Sequence, residues 1–242
     1  AILNKPSVAL WMEMGLGKTV VTLTAIDTLI YDAAEIRRVL VVAPKKVAEA
    51  TWQDEAQKWD HLKHLRISTV LGTEAQRIAA LNAPADVYII NRENCYWLVG
   101  HYGRHWPFDM VVLDEASSFK NHAAQRFKAL KAVRPKIAKV VELTGTPAPN
   151  NLLDLWAQIY LLDQGKRLGK YVTHYRQAYF WPTEYSWEAK DGAGDAIRRK
   201  ISDLVLSFKA ADLLELPEKI VEDVPVVLDA KAAAAYKTME RK

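Results

Sequence analysis

Residues Ser7 to Thr19, SVALWMEMGLGKT, constrain the fold of this chain more than any other stretch. An apolar, partly β-branched run (Val8, Ala9, Leu10, Trp11) feeds into Gly15-Leu16-Gly17-Lys18-Thr19, and a helix-patterned segment, VVTLTAIDTLI, comes directly after. That order predicts strand, tight loop and helix. Such a loop can curl its backbone N–H groups around a polyphosphate, whose charge the positive end of the next helix also favours. Lys18 would then reach the β- and γ-phosphates, and the Thr19 hydroxyl would ligate Mg²⁺. The pattern G-x-x-x-x-G-K-[ST] asks for glycine at position 12, where this chain has Met12. Taken alone, the stretch leaves open a plain strand-to-helix turn with two glycines and a lysine.

The remaining strand candidates extend the argument. VLVVA (39–43), VYIIN (87–91) and MVVLDE (110–115) are short apolar runs of the kind buried on both faces of a sheet, and Ile67 to Leu71, closed by Gly72, and VVELTGT (140–146) are further strand candidates. Helical patterns separate them, among them VAEATWQDEAQKWD, EAQRIAALN and HAAQRFKALKAV. In the first of these, Ala48, Trp52, Ala56 and Trp59 fall at helical spacing, a packing stripe. Strands alternating with helices predict a parallel sheet covered on both faces, with ligands outside the carboxyl ends of its strands. Lys18, Asp114, Glu115 and Thr144 all fall at such ends. LLDLWAQIYLLD reads as a helix, whereas 165–194 shows no clean period and predicts an excursion from the sheet, with a helix resuming over 195–206. LPEKIVEDVPVVL reads as an extended connector and AKAAAAYKTMERK as the start of a further helix.

At 242 residues the chain can bury a large core. No run of about eighteen apolar residues occurs, so a membrane-spanning helix is not expected, and AILNKPSVAL lacks the features of a signal peptide. Cys95 is the only cysteine, which excludes an internal disulfide and points to a reducing compartment. A net charge of +4 permits a polyanionic partner without demanding one.

Asp114-Glu115 after an apolar strand suits the second half of a nucleoside-triphosphate site. Phosphoryl transfer to water needs one carboxylate to hold magnesium, directly or through a water, and another group to position or deprotonate the attacking water. Asp114 fits the first role and Glu115 the second; acidic caps of a helix N-terminus are the alternative.

Four segments, MEMGLGKT, VVAPKKVAEATWQDEAQKW, VVLDEASSFKN and LTGTPAPNNLLDLW, resemble in order and spacing the first lobe of Swi/Snf-type helicase-like ATPases, superfamily two DNA translocases, in their bacterial or phage-type form. IRRKISDLVL and the LPEK stretch resemble the later segments of that family. The resemblance implies an α/β fold: a RecA-like P-loop NTPase lobe, a mostly parallel sheet with helices on both faces, plus a helical or irregular C-terminal extension. It divides the chain into an ATP-binding lobe (1–163), an aromatic and basic extension packed on it (164–210) and a connector (211–242) to a second lobe outside this sequence. The implied cofactors are ATP and Mg²⁺. Met14, Gly15, Leu16, Gly17, Lys18 and Thr19 would hold the nucleotide, Thr19 and Asp114 the metal, and Glu115 with Lys18 would act in catalysis. Ser117, Thr144, Gly145 and Thr146 would couple nucleotide to track, and Pro44, Lys45, Asn91, Lys120 and Asn121 would approach double-stranded DNA.

The implied function is the motor lobe of an ATP-dependent duplex-DNA translocase, monomeric as a fragment and located in the cytoplasm of a bacterium or phage-infected host cell. A non-hydrolysing nucleotide- or DNA-binding module and an RNA helicase lobe are the alternatives. Departures from the family pattern are Met12, Ser117 in place of the histidine of D-E-A-H, and Ala148-Pro149. Arginines that would complete hydrolysis belong to the second lobe. Neither His61 with His64 nor His101 with His105 has further apparent metal ligands. The aromatics around Tyr171 to Trp187 read first as packing, and only second as a nucleic-acid surface.

Overall fold

The computed structural model describes residues 1–145, 152–213 and 229–240. Six apolar runs become strands: β1 (Ser7–Met12), β2 (Val39–Ala43), β3 (Ile67–Val70), β4 (Val87–Asn91), β5 (Met110–Asp114) and β6 (Lys139–Thr144). Between them lie α1 (Lys18–Asp27), α2 (Trp52–Lys58), α3 (Glu74–Asn82), α4 (Cys95–Tyr102) and α5 (Gln125–Val133). Past β6 come α6 (Leu155–Asp163), α7 (Val172–Tyr179), an antiparallel hairpin of β7 (Phe180–Pro182) and β8 (Trp187–Ala189), α8 (Ala193–Ile201) and β9 (Val205–Phe208). A π-helical segment at Val47–Thr51 leads into α2. Thr73 and Gln76 cap the N-terminus of α3 reciprocally, side chain to backbone N–H in both directions.

β9 joins the sheet beside β1, giving the order β3-β4-β2-β5-β6-β1-β9 with every neighbouring pair parallel. The alternating side chains of each strand feed two cores. Val8, Leu10, Val41 and Val112 pack with α1 and α2 on one face, and Ala9, Leu40, Val42 and Tyr88 with α4, α5 and α6 on the other. Fully burying each such valine or leucine contributes about 1.5–3 kcal/mol, so both faces stabilise the sheet. The expected α/β sheet with helices on both faces is the observed fold.

One expectation is corrected after residue 164. The helix expected over 195–206 is α8, which ends at Ile201, and Val205–Phe208 is strand because its apolar side chains pack beside β1: Leu206 and Phe208 lie against the α1 core. The aperiodic 165–194 stretch leaves the main sheet as expected, and contains α7 and the separate β7–β8 hairpin. After β9 come α9 (Ala210–Leu213) and the expected C-terminal helix, α10 (Ala230–Glu240). The expected connector LPEKIVEDVPVVL lies wholly outside the described residues, as do Thr146, Ala148 and Pro149.

At the amino end of β1, buried Arg134 donates to the carbonyls of Leu161, Leu162 and Ile137 and to Ser7 Oγ, tying α5 and α6 to the start of that strand. Glu142, in the middle of β6, is 1% exposed, and its Oε1 has no hydrogen-bond partner among the described residues. Burial drives its carboxyl well above the ordinary range despite Arg134 nearby. No helix among the described residues is long and apolar enough to cross a membrane.

Candidate functional site

At the carboxyl end of β1 the chain turns through Gly15 and Gly17, whose φ angles of 84° and 71° fall in the left-handed region that favours glycine. Within the described chain the N–H groups of Gly15, Leu16 and Gly17 are not engaged in hydrogen bonds. α1 begins at Lys18, so its first-turn N–H groups face the same concavity. Met14 is 85% exposed at the rim. Met12, the departure from the loop pattern, ends β1 with its side chain buried in the α1 core beside Phe208. Its side chain therefore faces packing, and only its carbonyl faces the loop.

Lys18 Nζ donates to the carbonyls of Met12 at 2.8 Å and Glu13 at 3.0 Å. Burial lowers the ammonium's pKa, against the attraction of Glu115 and Asp114. Thr19, the next residue of α1, is half-buried. Asp114 ends β5, two strands from β1. Its Oδ1 accepts the Glu115 N–H at 3.0 Å and its Oδ2 accepts the Trp52 indole N–H at 2.9 Å. Burial raises the Asp114 pKa, and Trp52, the Glu115 amide and Lys18 only partly oppose it. An ammonium lowered and a carboxylate raised describe a desolvated site short of compensating charge. Hard oxygen donors, the Asp114 carboxylate and the Thr19 hydroxyl, are the donor chemistry that suits Mg²⁺.

Glu115 itself has φ 54° and ψ 57°, a left-handed conformation that costs a non-glycine residue about 1–2 kcal/mol. It caps a 3₁₀ turn, Ala116–Phe119, that carries half-buried Ser117. Thr144 is 3% exposed at the end of β6. A Cβ placed on Gly145 would lie 3.5 Å from Met14 Cγ, so this residue lies against the loop. Lys18, Asp114, Glu115, Thr144 and Gly145 thus gather at one edge of the sheet, as their strand-end positions predict.

The residues expected to face DNA share that edge but differ in availability. Lys45 comes after Pro44 beyond β2; its side chain is 71% exposed and lies 3.9 Å from Glu49. Asn91, in register with Ala43, is buried, its amide engaged with Glu93 and Asn94, so it braces a turn. Lys120 pairs with Asp154 at 3.3 Å, and exposed Asn121 accepts the Ala123 N–H.

Two residues at the site escape sequence reasoning. The pattern assigns Trp52 only to packing. It is fully buried with Ala48 and Ala56, but Trp59 leaves the stripe and is 40% exposed. The available signal is chemical: a buried indole N–H needs an acceptor. Glu13, beside the loop, accepts the Ala210 N–H through Oε2 at 2.7 Å and so joins the loop to α9. Among the described residues no group of three or more His, Cys, Asp or Glu could hold a metal, and the two histidine pairs gain no further ligand.

Residues 4–242 match a family model described as SNF2-related domain. The chain is 39% identical to protein p41 of Acyrthosiphon pisum secondary endosymbiont phage 1, over 96% of this chain and 53% of that protein. It is 27% identical to an uncharacterized ATP-dependent helicase of Mycoplasma genitalium, over 93% of this chain and 21% of that one. Its structure is similar to the Sulfolobus solfataricus SWI2/SNF2 ATPase core in complex with dsDNA, with a TM-score of 0.69 and 25% identity over 96% of this chain and 47% of that chain. The chain therefore spans about half the length of the phage protein and less of the bacterial one.

Proposed function

Since the chain belongs to the SNF2-related domain family, we propose that it is the first motor lobe of an ATP-dependent double-stranded DNA translocase. One observation carries the reading: Lys18, Asp114 and Glu115 converge at the strand ends beside a loop whose N–H groups are unengaged. Relatives named as an ATP-dependent helicase and as an ATPase core with dsDNA support it.

In this reading Met14 to Thr19 wrap the triphosphate, and Lys18 exchanges the Met12 and Glu13 carbonyls for phosphate oxygens. Thr19 and Asp114 hold Mg²⁺, which supplies charge neutralisation on the phosphates when bound. Glu115 takes a proton from, or orients, the attacking water. Ser117, Thr144, Gly145 and Thr146 relay nucleotide state to the DNA-facing rim at Pro44, Lys45, Lys120 and Asn121. Asn91 acts there through the turn it braces. Backbone contacts suit a motor, because phosphates are uniform where bases are not.

Residues 1–163 form the lobe, 164–210 its extension and 211–242 a connector. A second RecA-like lobe of the parent protein completes hydrolysis by supplying arginine. Its contribution in related phosphoryl-transfer systems is about 10³–10⁵ in rate, so the isolated chain binds Mg-ATP weakly and turns it over poorly. The test is equilibrium binding of a fluorescent ATP analogue to the 242-residue chain with and without Mg²⁺. Binding that requires Mg²⁺ and is abolished by Lys18→Ala supports the reading; Mg²⁺-independent binding, or none, sinks it.

A further inference from the structure

A second concentration of positive charge lies outside the nucleotide site, on the α5–α6 face. There a cleft of about 260 Å³ opens between α5, the N-terminal end of α6 and the start of α7. Its floor is Phe127, Trp156 and Val172, and its rim carries Lys128, Lys131, Lys170 and Tyr171, which is 62% exposed. Lys131 Nζ lies 4.5 Å from the Tyr160 ring centroid and 5.8 Å from that of Trp156, so its charge is held over aromatic faces. Among the described residues, Lys128, Lys131 and Lys170 have no carboxylate partner; the nearby acid Asp154 is paired with Lys120. The buried Arg176 Nε also lacks a hydrogen-bond partner among them.

His122 records the resulting field. It lines the cleft with its ring 6.0 Å from Trp156, edge to face. Its pKa is lowered first by burial and then by Arg176, Lys131 and Lys128. His122 is also the next residue after Lys120-Asn121, so the cleft continues the proposed DNA-facing rim over the side of the lobe. An apolar, aromatic floor under an unneutralised cationic rim accepts a group that is flat or apolar in its body and anionic at its edge. A sugar–base unit with its flanking phosphates has that chemistry, and stacking on aromatic rings is indifferent to sequence.

We propose that this cleft is a second nucleic-acid contact, in which Lys128 and Lys170 hold phosphates of one DNA strand while Tyr171 packs on its sugar–base face. The inference rests on the proposed DNA-binding function of the lobe and extends its footprint beyond Lys120 and Asn121. The cleft is too small for a duplex cross-section, so it holds a single strand along the lobe's flank.

Fluorescence anisotropy of the 242-residue chain with labelled duplex DNA, bare and with a single-stranded overhang, measured across a salt series, tests it. Both lysines are exposed, so Lys128→Glu/Lys170→Glu preserves the fold, checked by circular dichroism melting. The double variant should weaken binding of the overhang DNA about tenfold or more and reduce the salt slope by roughly 1.4, about 0.7 per lost phosphate contact to a single strand. Tyr171→Ala should weaken the same binding without changing the slope. The matched reversal Lys58→Glu/Lys63→Glu, on the α1–α2 face where each lysine faces its own carboxylate, should leave the slope unchanged. An unchanged slope in the Lys128/Lys170 variant, or an equal change in the matched reversal, overturns the inference. If Lys120→Ala weakens binding while the Lys128/Lys170 variant does not, this site alone falls. Absence of DNA binding by the unmodified chain overturns the lobe reading itself.

Discussion

The indole N–H of Trp52 donates to Asp114 Oδ2 at 2.9 Å, bridging the helix beyond Pro44-Lys45 and the carboxylate at the end of β5. With the Glu115 amide on Oδ1, it fixes the orientation of a carboxylate that burial would otherwise leave poorly compensated. Trp52→Phe keeps most of the buried volume and removes the donor. A hydrogen bond to a charged group contributes about 1.5–3 kcal/mol, so the Mg²⁺ concentration for half-maximal nucleotide binding should rise roughly tenfold. A Mg²⁺ titration of fluorescent-ATP binding checks this; an unchanged midpoint would leave Trp52 a packing residue.

Glu115→Gln preserves size and hydrogen-bonding capacity but removes the carboxylate to which the proposed function assigns the attacking water. In the parent protein, the proposed DNA-stimulated ATP hydrolysis should fall about 10²–10⁴-fold while nucleotide affinity changes little. Steady-state hydrolysis beside equilibrium binding separates the two, and undiminished hydrolysis would move the water-positioning role elsewhere. Glu115→Gly should instead raise the melting temperature, since it relieves a φ of 54°.

Folding leaves Glu142 protonated where an unfolded chain would release the proton above its ordinary value near 4.5. Its raised pKa therefore makes stability fall as pH climbs from about that value towards the folded-state pKa. Asp86 has the opposite sign: burial is outweighed by hydrogen bonds from Arg66 and Tyr31, its pKa is lowered, and its contribution is lost as pH falls through the acid range. Glu142→Gln should flatten the first dependence, so that its melting temperature relative to the unmodified protein improves between about pH 5 and pH 8. Parallel melting curves across that range would contradict a protonated Glu142.

Gly165 turns the chain just after α6 with φ 81°, and a Cβ there would lie 2.7 Å from both Gly169 O and Lys170 Cα. Both neighbours are backbone and cannot move aside independently. Gly165→Ala should cost about 2–4 kcal/mol and lower the melting temperature by roughly 5–15 °C. Thermal unfolding by circular dichroism would detect it.

The parallel sheet was legible because buried strands of a parallel sheet are nearly continuous apolar runs, and VLVVA or VYIIN fit little else. The convergence of Lys18, Asp114 and Glu115 was legible because each comes at or just beyond a strand's carboxyl end. β9 was missed because Leu204, Val205, Leu206 and Phe208 come straight after a helical pattern, and their strand state depends on the edge that β1 presents. α7 and the β7–β8 hairpin are too short to establish a period. Asn91 has the look of a surface donor until its partners at Glu93 and Asn94 are in place. The bond from Trp52 to Asp114 joins residues separated by 62 positions and has no local pattern.

The position of β1 also governs when this lobe can assemble during synthesis. Among the strands it leaves the ribosome first, yet Ser7 pairs with Val140 and Ala9 with Val205. At about 5–20 residues per second, its apolar edges wait on the order of ten seconds or more for partners. The turn through Gly15 and Gly17 thus gains its flanking strands only after β6 and β9 have been made, and a nascent chain halted before β9 would present an open apolar strand edge to chaperones or to other nascent chains.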